Sequence, residues 1–231
     1  MALRAFLFLA SLAFLALGVW QVQRLFWKLD LIDRVDARVH AQAVPPPGPA
    51  EWPMLDAGEI EYRHVIVTGT FDHSRETLVQ AVTERGPGFW VLTPFILSEG
   101  TSVLINRGFV PPEKRDPASR TEGQIGGPTT VSGLLRLSEP RGAFLRTNDP
   151  GRGNWYSRDV QAIGDSKKVA DLAPYFIDAD AAANPGGLPI GGLTVIQFRN
   201  SHLVYALTWF ALAAMSIGAG VMVPRLMRRA A

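Results

Sequence analysis

The chain has 231 residues, with Lys+Arg 23 against Asp+Glu 21 and a formal net charge of +2. Its basic residues are scattered among acids rather than gathered on a patch, so nothing electrostatic points to nucleic acid as a partner. There is no cysteine, which excludes disulfides, thiolate metal sites, a CxxC redox pair and a cysteine nucleophile.

The first element is apolar. Residues 5–22, AFLFLASLAFLALGVWQV, carry no charge and approach the roughly 20 residues that an α-helix needs to cross about 30 Å of hydrocarbon. A spanning helix is the simplest reading. A cleaved signal peptide is the alternative, because Arg4 precedes the run and Ala16-Leu17-Gly18 resembles a small-x-small cleavage site. Against cleavage, the helical pattern runs on through residues 23–43. No Pro or Gly interrupts it before Pro45, and Leu25, Leu29, Ile32, Val35 and Val39 recur at helical spacing. Trp20, Arg24, Trp27, Lys28 and Leu31 fall on one face, with Gln21 at its edge. An interfacial belt explains those residue types, and a face for a partner helix or an anionic ligand explains their grouping.

Residues 44–53, VPPPGPAEWP, form a Pro-rich linker that no helix can continue through. The segment 54–199 then reads mainly as strands, at 62–71, 77–82, 89–97, 102–110, 130–137, 174–180 and 194–199, separated by Gly- and Pro-bearing turns. One compact antiparallel sheet or small barrel fits this pattern. Residues 158–172 can supply a short helix, and 111–128, rich in Pro, Gly and charge, reads as a mobile excursion.

A second charge-free run, residues 203–223, is again long enough to span a bilayer, and a basic tail follows at 224–231. The expected fold class is an α+β membrane protein: two transmembrane helices flanking a mainly antiparallel β extramembrane domain. Arg225, Arg228 and Arg229 lie just beyond the second span. They place both termini in the cytoplasm, or in the matrix of a mitochondrion, with the central domain on the opposite side. No Arg/Ser-rich transit segment precedes the first span, which favours a bacterial inner membrane and a periplasmic domain.

Catalytic chemistry is mostly excluded. The four histidines, His40, His64, His73 and His202, form no HxH or HExxH spacing, and no GxSxG, P-loop or GxGxxG occurs. His64 and His73 read as structural histidines, and Asp178 and Asp180 as solvated surface acids on one face of a strand. In LINRGFVPPE (104–113), a bulged strand end at Gly108 and a functional role for Arg107 carry equal weight.

At the start of the second span, His202, Tyr205, Ala206, Trp209, Ala213, Ser216 and Gly220 share a helix face. On the first span Ala10, Ala13 and Ala16 share a face with Trp20 and Arg24, so pairing these small-residue ridges would bring Arg24 level with His202. A capping or snorkelling histidine, with Asn200 or Ser201 as N-cap, is the plain reading. The functional one is an axial nitrogen from His202, aromatic walls from Tyr205 and Trp209, and propionate partners in Arg24 or Arg199, which together suit an iron porphyrin.

Three segments, LGVWQVQRLFWKLDLI (17–32), LINRGFVP (104–111) and RNSHLVYALTWF (199–210), together with Gly69, Gly88-Phe89 and Gly133, resemble the signatures of the Surfeit locus protein 1 (Shy1-like) family. The resemblance runs across essentially the whole chain in the right order. One departure is Phe109, where members usually carry Trp. It implies a non-enzymatic assembly factor for cytochrome c oxidase that acts on the catalytic subunit of the haem-copper enzyme. It further implies haem a as cofactor with His202 as the important residue, and the haem a synthesis machinery and membrane lipid as further partners. A scaffold without cofactor, holding an oxidase assembly intermediate, is the alternative. A membrane-anchored hydrolase is a distant third.

Overall fold

The computed structural model describes residues 2–143 and 145–229, leaving out the side chains of 223, 224 and 226–229. Of the basic tail, only the side chain of Arg225 therefore falls among the described residues. The chain divides into two compact units, Met1–Asp36 with Ile196–Ala231, and Ala37–Val195.

Uninterrupted helix-forming sequence yields helix α1, Ala2–Val39, of 38 residues, which at 1.5 Å per residue is about 57 Å long. The first unit pairs it with helix α4, His202–Arg229. Both are long and apolar enough to cross a membrane by length and composition. They run antiparallel, since Gln21 meets His202, Phe14 stacks on Trp209, and Leu7 lies beside Gly220.

The second unit is a β domain. Its strands are β1 His64–Phe71, β2 Thr77–Thr83, β3 Gly86–Leu97, β4 Ser102–Val110, β5 Thr129–Leu137 and β6 Leu172–Ala179. Neighbours run in the order β1-β5-β6-β4-β3-β2, and a further β1–β3 pairing closes five of them into a barrel with β2 attached outside. All pairs are antiparallel except β4–β6. A single turn of helix α2, Ala57–Ile60, and helix α3, Val160–Lys167, complete the unit.

Alternation along the strands sorts the side chains into two cores. Val65, Val67, Phe95, Val103, Ile105, Leu135, Tyr175 and Ile177 pack together with Ile60 of α2. Leu92, Leu104 and Phe176, on the opposite face of their strands, pack against Val160 and Ile163 of α3 and against Trp155. Buried on both faces, β4 has no exposed position, as a doubly covered strand should. The Pro-rich linker lies on this domain: Val44 bridges to Val65, and the Tyr175 hydroxyl donates to the Pro47 carbonyl at 2.6 Å.

Two expectations fail here. Residues 194–199 form no strand. The strand preceding this segment, β6, already has β5 and β4 on its two sides and offers it no edge, and Thr194 instead donates to Asp178 at 3.0 Å. Residues 111–128 are not a free excursion either. They fold into 3₁₀ turns at Pro112–Lys114 and Pro117–Gly123, fastened by the buried ion pair of Arg120 with Glu76.

Candidate functional site

In the first unit the seam of α1 is made by Ser11, Phe14, Gly18 and Gln21, recurring at intervals of three and four, the spacing that keeps one stripe against a neighbouring helix. This is not the Ala10, Ala13, Ala16 face expected from the sequence: Ala13, Ala16, Trp20 and Arg24 are all exposed. Gly18 explains the difference, because a Cβ there would lie 2.5 Å from the Phe210 ring. Only glycine lets that aromatic seat against the backbone. On α4, Ala206 and Ala213 are buried and His202, Trp209, Ser216 and Gly220 half-buried, so the expected face is largely the seam.

His202 opens α4 at the end of this seam. Its backbone N–H donates to Asn200 Oδ1 at 3.4 Å, so the capping role is present too. Its Nδ1 lies 2.7 Å from Oε1 of the buried Gln21. An amide oxygen only accepts, so Nδ1 carries a proton, and in the neutral form of the ring the lone pair is then on Nε2. Among the described residues Nε2 has no hydrogen-bond partner. Gln21 was placed by the sequence only at the margin of another face. Its signal was a lone amide in step with Ser11, Phe14 and Gly18.

Around this imidazole the expected groups divide. Trp209 stacks on Phe14 with centroids 5.7 Å apart, and its indole N–H is buried without an acceptor among the described residues. Tyr205 lies off the seam and is 55% exposed. Arg24 is exposed, with its guanidinium 4.5 Å from the Trp27 ring. With the helices antiparallel, steps of 100° per residue put Tyr205 and Arg24 on the same flank of the seam. Arg199 is exposed, three residues before His202, and Lys28 sits over the Phe198 ring at 4.7 Å. An axially ligating histidine needs a free ring nitrogen whose partner nitrogen is held, aromatic surface and cations nearby. The residues present fit a haem on that flank.

The β domain corrects the reading of its acids and settles that of its histidines. Asp178 is 4% exposed, not solvated. It accepts from Asn106 at 2.7 Å, Arg136 at 3.0 Å, Arg158 at 3.2 Å and Thr194 at 3.0 Å. Asp180 pairs with His64 at 2.9 Å and accepts from Ser132. The other nitrogen of His64 bonds the Ala41 carbonyl at 2.9 Å. Burial works against the charged ring, but the Ala41 carbonyl and Asp180 outweigh it and raise the His64 pKa above 6.5. His73 bonds the Ile125 carbonyl at 3.0 Å through Nε2.

In LINRGFVPPE the bulge is present, since Arg107 and Gly108 of β4 lie opposite the single residue Val91 of β3. Gly108 has φ +120°, and a Cβ there would meet the Ile190 carbonyl oxygen at 2.0 Å, so both conformation and space require glycine. The neighbouring Arg107 is 2% exposed, and burial pulls its pKa down to about 10, with Glu76 opposing the fall and Arg120 adding to it.

Comparison with known proteins agrees with the motifs. The SURF1 family profile matches residues 8–214. Surfeit locus protein 1 of Mus musculus is 41% identical over 228 residues, covering 92% of this chain and 72% of the relative. The Homo sapiens protein of that name is 40% identical over 215 residues, 86% of this chain and 69% of the relative. The Takifugu rubripes protein is 36% identical over 230 residues and covers 92% of both chains. The chain belongs to the SURF1 family.

Proposed function

We propose that this chain is a non-enzymatic, membrane-anchored assembly factor for haem-copper (cytochrome c) oxidase, which holds haem a at His202 and presents it to the catalytic subunit. The observation that carries the proposal is the 2.7 Å bond from His202 Nδ1 to Gln21, which fixes the tautomer and leaves Nε2 free to ligate. Haem, if bound, would be held through Nε2 of His202 and would supply a redox-active iron. Every other task belongs to the protein. Gln21 orients the imidazole, Trp209 and Tyr205 offer aromatic surface, and Arg24 or Arg199 offers a cation to a propionate. The exposed flank leaves room for release to a partner rather than permanent enclosure. With the positive-inside tendency of Arg225, Arg228 and Arg229, both termini lie in the cytoplasm of a bacterial inner membrane and the β domain in the periplasm.

The test is the visible spectrum of the full chain purified after co-expression with the haem a synthesis enzymes. A Soret band is expected in the native protein and not in His202→Ala. A normal haem load in His202→Ala would remove His202 from the mechanism. Colourless native protein that still co-purifies with the oxidase catalytic subunit would favour a cofactor-free scaffold.

A further inference from the structure

Along β4 the side chains of Val103 and Ile105 enter the barrel core, and the same alternation carries Arg107 into that row. Its guanidinium carbon lies 4.8 Å from the centre of the Phe71 ring. One terminal nitrogen donates to the Gly123 carbonyl, and the other reaches Nδ1 of His73 at 3.5 Å. With His73 Nε2 on the Ile125 carbonyl, its Nδ1 is the ring atom turned toward the guanidinium, where it can serve as an acceptor. Among the described residues no carboxylate forms an ion pair with Arg107. The nearby Glu76 is taken by both terminal nitrogens of Arg120. Two guanidinium groups, Arg107 and Arg120, thus share one carboxylate inside the domain, and Arg120 holds it.

Buried charges in proteins are paired or hydrogen-bonded to exhaustion, and this arginine uses two of its five donors. It lines a cavity of about 470 Å³ at one end of the barrel, whose wall includes Phe71, Ile105 and Val131 on the apolar side and Thr130 and Asn184 on the polar side. That volume falls within the range of small-molecule sites. Asp180 also faces the cavity, already engaged by His64 and Ser132. A phosphate dianion would meet that carboxylate with one arginine to hold it. A monoanion with an apolar body meets half that repulsion, and the planar fork of arginine matches a carboxylate through two parallel bonds.

We propose that this cavity binds a small organic monocarboxylate, its head group on Arg107 and its apolar body along Phe71, Ile105 and Val131. The proposal stands apart from the His202 reading and uses none of its residues.

The full chain in detergent is titrated with 4-fluorobenzoate and, separately, with its neutral isostere 4-fluorobenzamide, followed by ¹⁹F line width. Saturable broadening by the benzoate, at least tenfold tighter than any response to the amide, is expected. Arg107→Lys, which keeps the charge but loses the fork, weakens it. Because a change at a buried arginine can unfold the domain, Ala183→Trp carries the decisive comparison. Ala183 is exposed at the cavity wall, and an indole there blocks entry without disturbing the core. Its melting temperature stays at the native value while saturable binding disappears. No saturable response to the benzoate, equal binding of the amide, or unchanged binding in Ala183→Trp would each overturn the proposal.

Discussion

Replacing Gln21 with leucine tests the arrangement at His202 without touching the ligating ring. The side chain is nearly isosteric and apolar, so the seam beside Gly18 stays filled while the 2.7 Å acceptor of Nδ1 disappears. Three consequences follow. The hydrogen bond is lost with and without haem, so its about 1 kcal/mol bears on the stability of the helix pair, and affinity falls only through what the bond does to the ring. The wrong tautomer, with its proton on Nε2, becomes populated, which at equal weights lowers the competent fraction by a factor of about two. The ring is also free to rotate away from the productive angle. The last two together amount to a weakening of haem affinity by about tenfold, the lower end of what loss of an outer-shell partner costs at histidine-ligated metals. Gln21→Glu, which restores an acceptor and adds charge, should bind at least as tightly as the native chain. The assay is a titration of detergent-solubilised protein with haem followed at the Soret band, with far-UV circular dichroism to check that the helices are intact. Native affinity in Gln21→Leu would show that the glutamine does not orient His202, and the tautomer argument would fall.

Three further outcomes are expected. A Cβ built at Gly220 lies 3.8 Å from Leu7 Cβ, the mean separation in a disulfide, so Leu7→Cys with Gly220→Cys in this cysteine-free chain should cross-link on mild oxidation, and Gly18→Val should slow that reaction; a double variant that stays reduced contradicts the antiparallel pairing. Asp178→Ala leaves Arg136 and Arg158 without their buried acceptor, but Arg158 keeps Glu139 at 2.5 Å and Arg136 keeps Glu61 at 3.6 Å. The cost is therefore at the lower end for a broken buried pair, about 3 kcal/mol. That corresponds to a fall of about 6–12 °C in melting temperature by calorimetry, and a fall under about 2 °C would refute it. His64 has its folded pKa raised by the Ala41 carbonyl and Asp180 against the opposing effect of burial. Its contribution is therefore fully present below 6.5 and is lost as pH rises through the folded value. Urea unfolding across that window should show stability declining with rising pH in the native chain and a flatter profile in Asp180→Asn.

Features written in local composition were legible before the fold was seen. The two charge-free runs became α1 and α4, the unbroken stretch past Trp20 became one 38-residue helix, and β-favouring runs bounded by Gly- and Pro-bearing turns located β1 to β6. What escaped depends on residues distant in sequence. Nothing around 194–199 says that the barrel is already closed, so a strand-like composition was read as a strand. Asp178 looked like a surface acid because its neighbours Arg136, Arg158 and Asn106 come from three other segments. At the candidate site His202 and Trp209 were legible from helical spacing. The α1 seam was not, because alanine spacing suggested one ridge while the demand of Phe210 for a bare backbone at Gly18 selected another. Tyr205, one residue from the buried Ala206, fell outside the contact for the same reason of angle.

The position of β6 has a consequence for biogenesis. Among the described strands it is the last to leave the ribosome, yet it is inserted between β5 and β4, so a nascent chain that ends between β5 and β6 carries two unsatisfied sheet edges at once. Such edges invite pairing with foreign chains, and ring closure across so long a sequence separation is slow. A premature stop between residues 137 and 172 therefore does more than delete the second helix: it leaves the barrel open and a substrate for quality-control proteases.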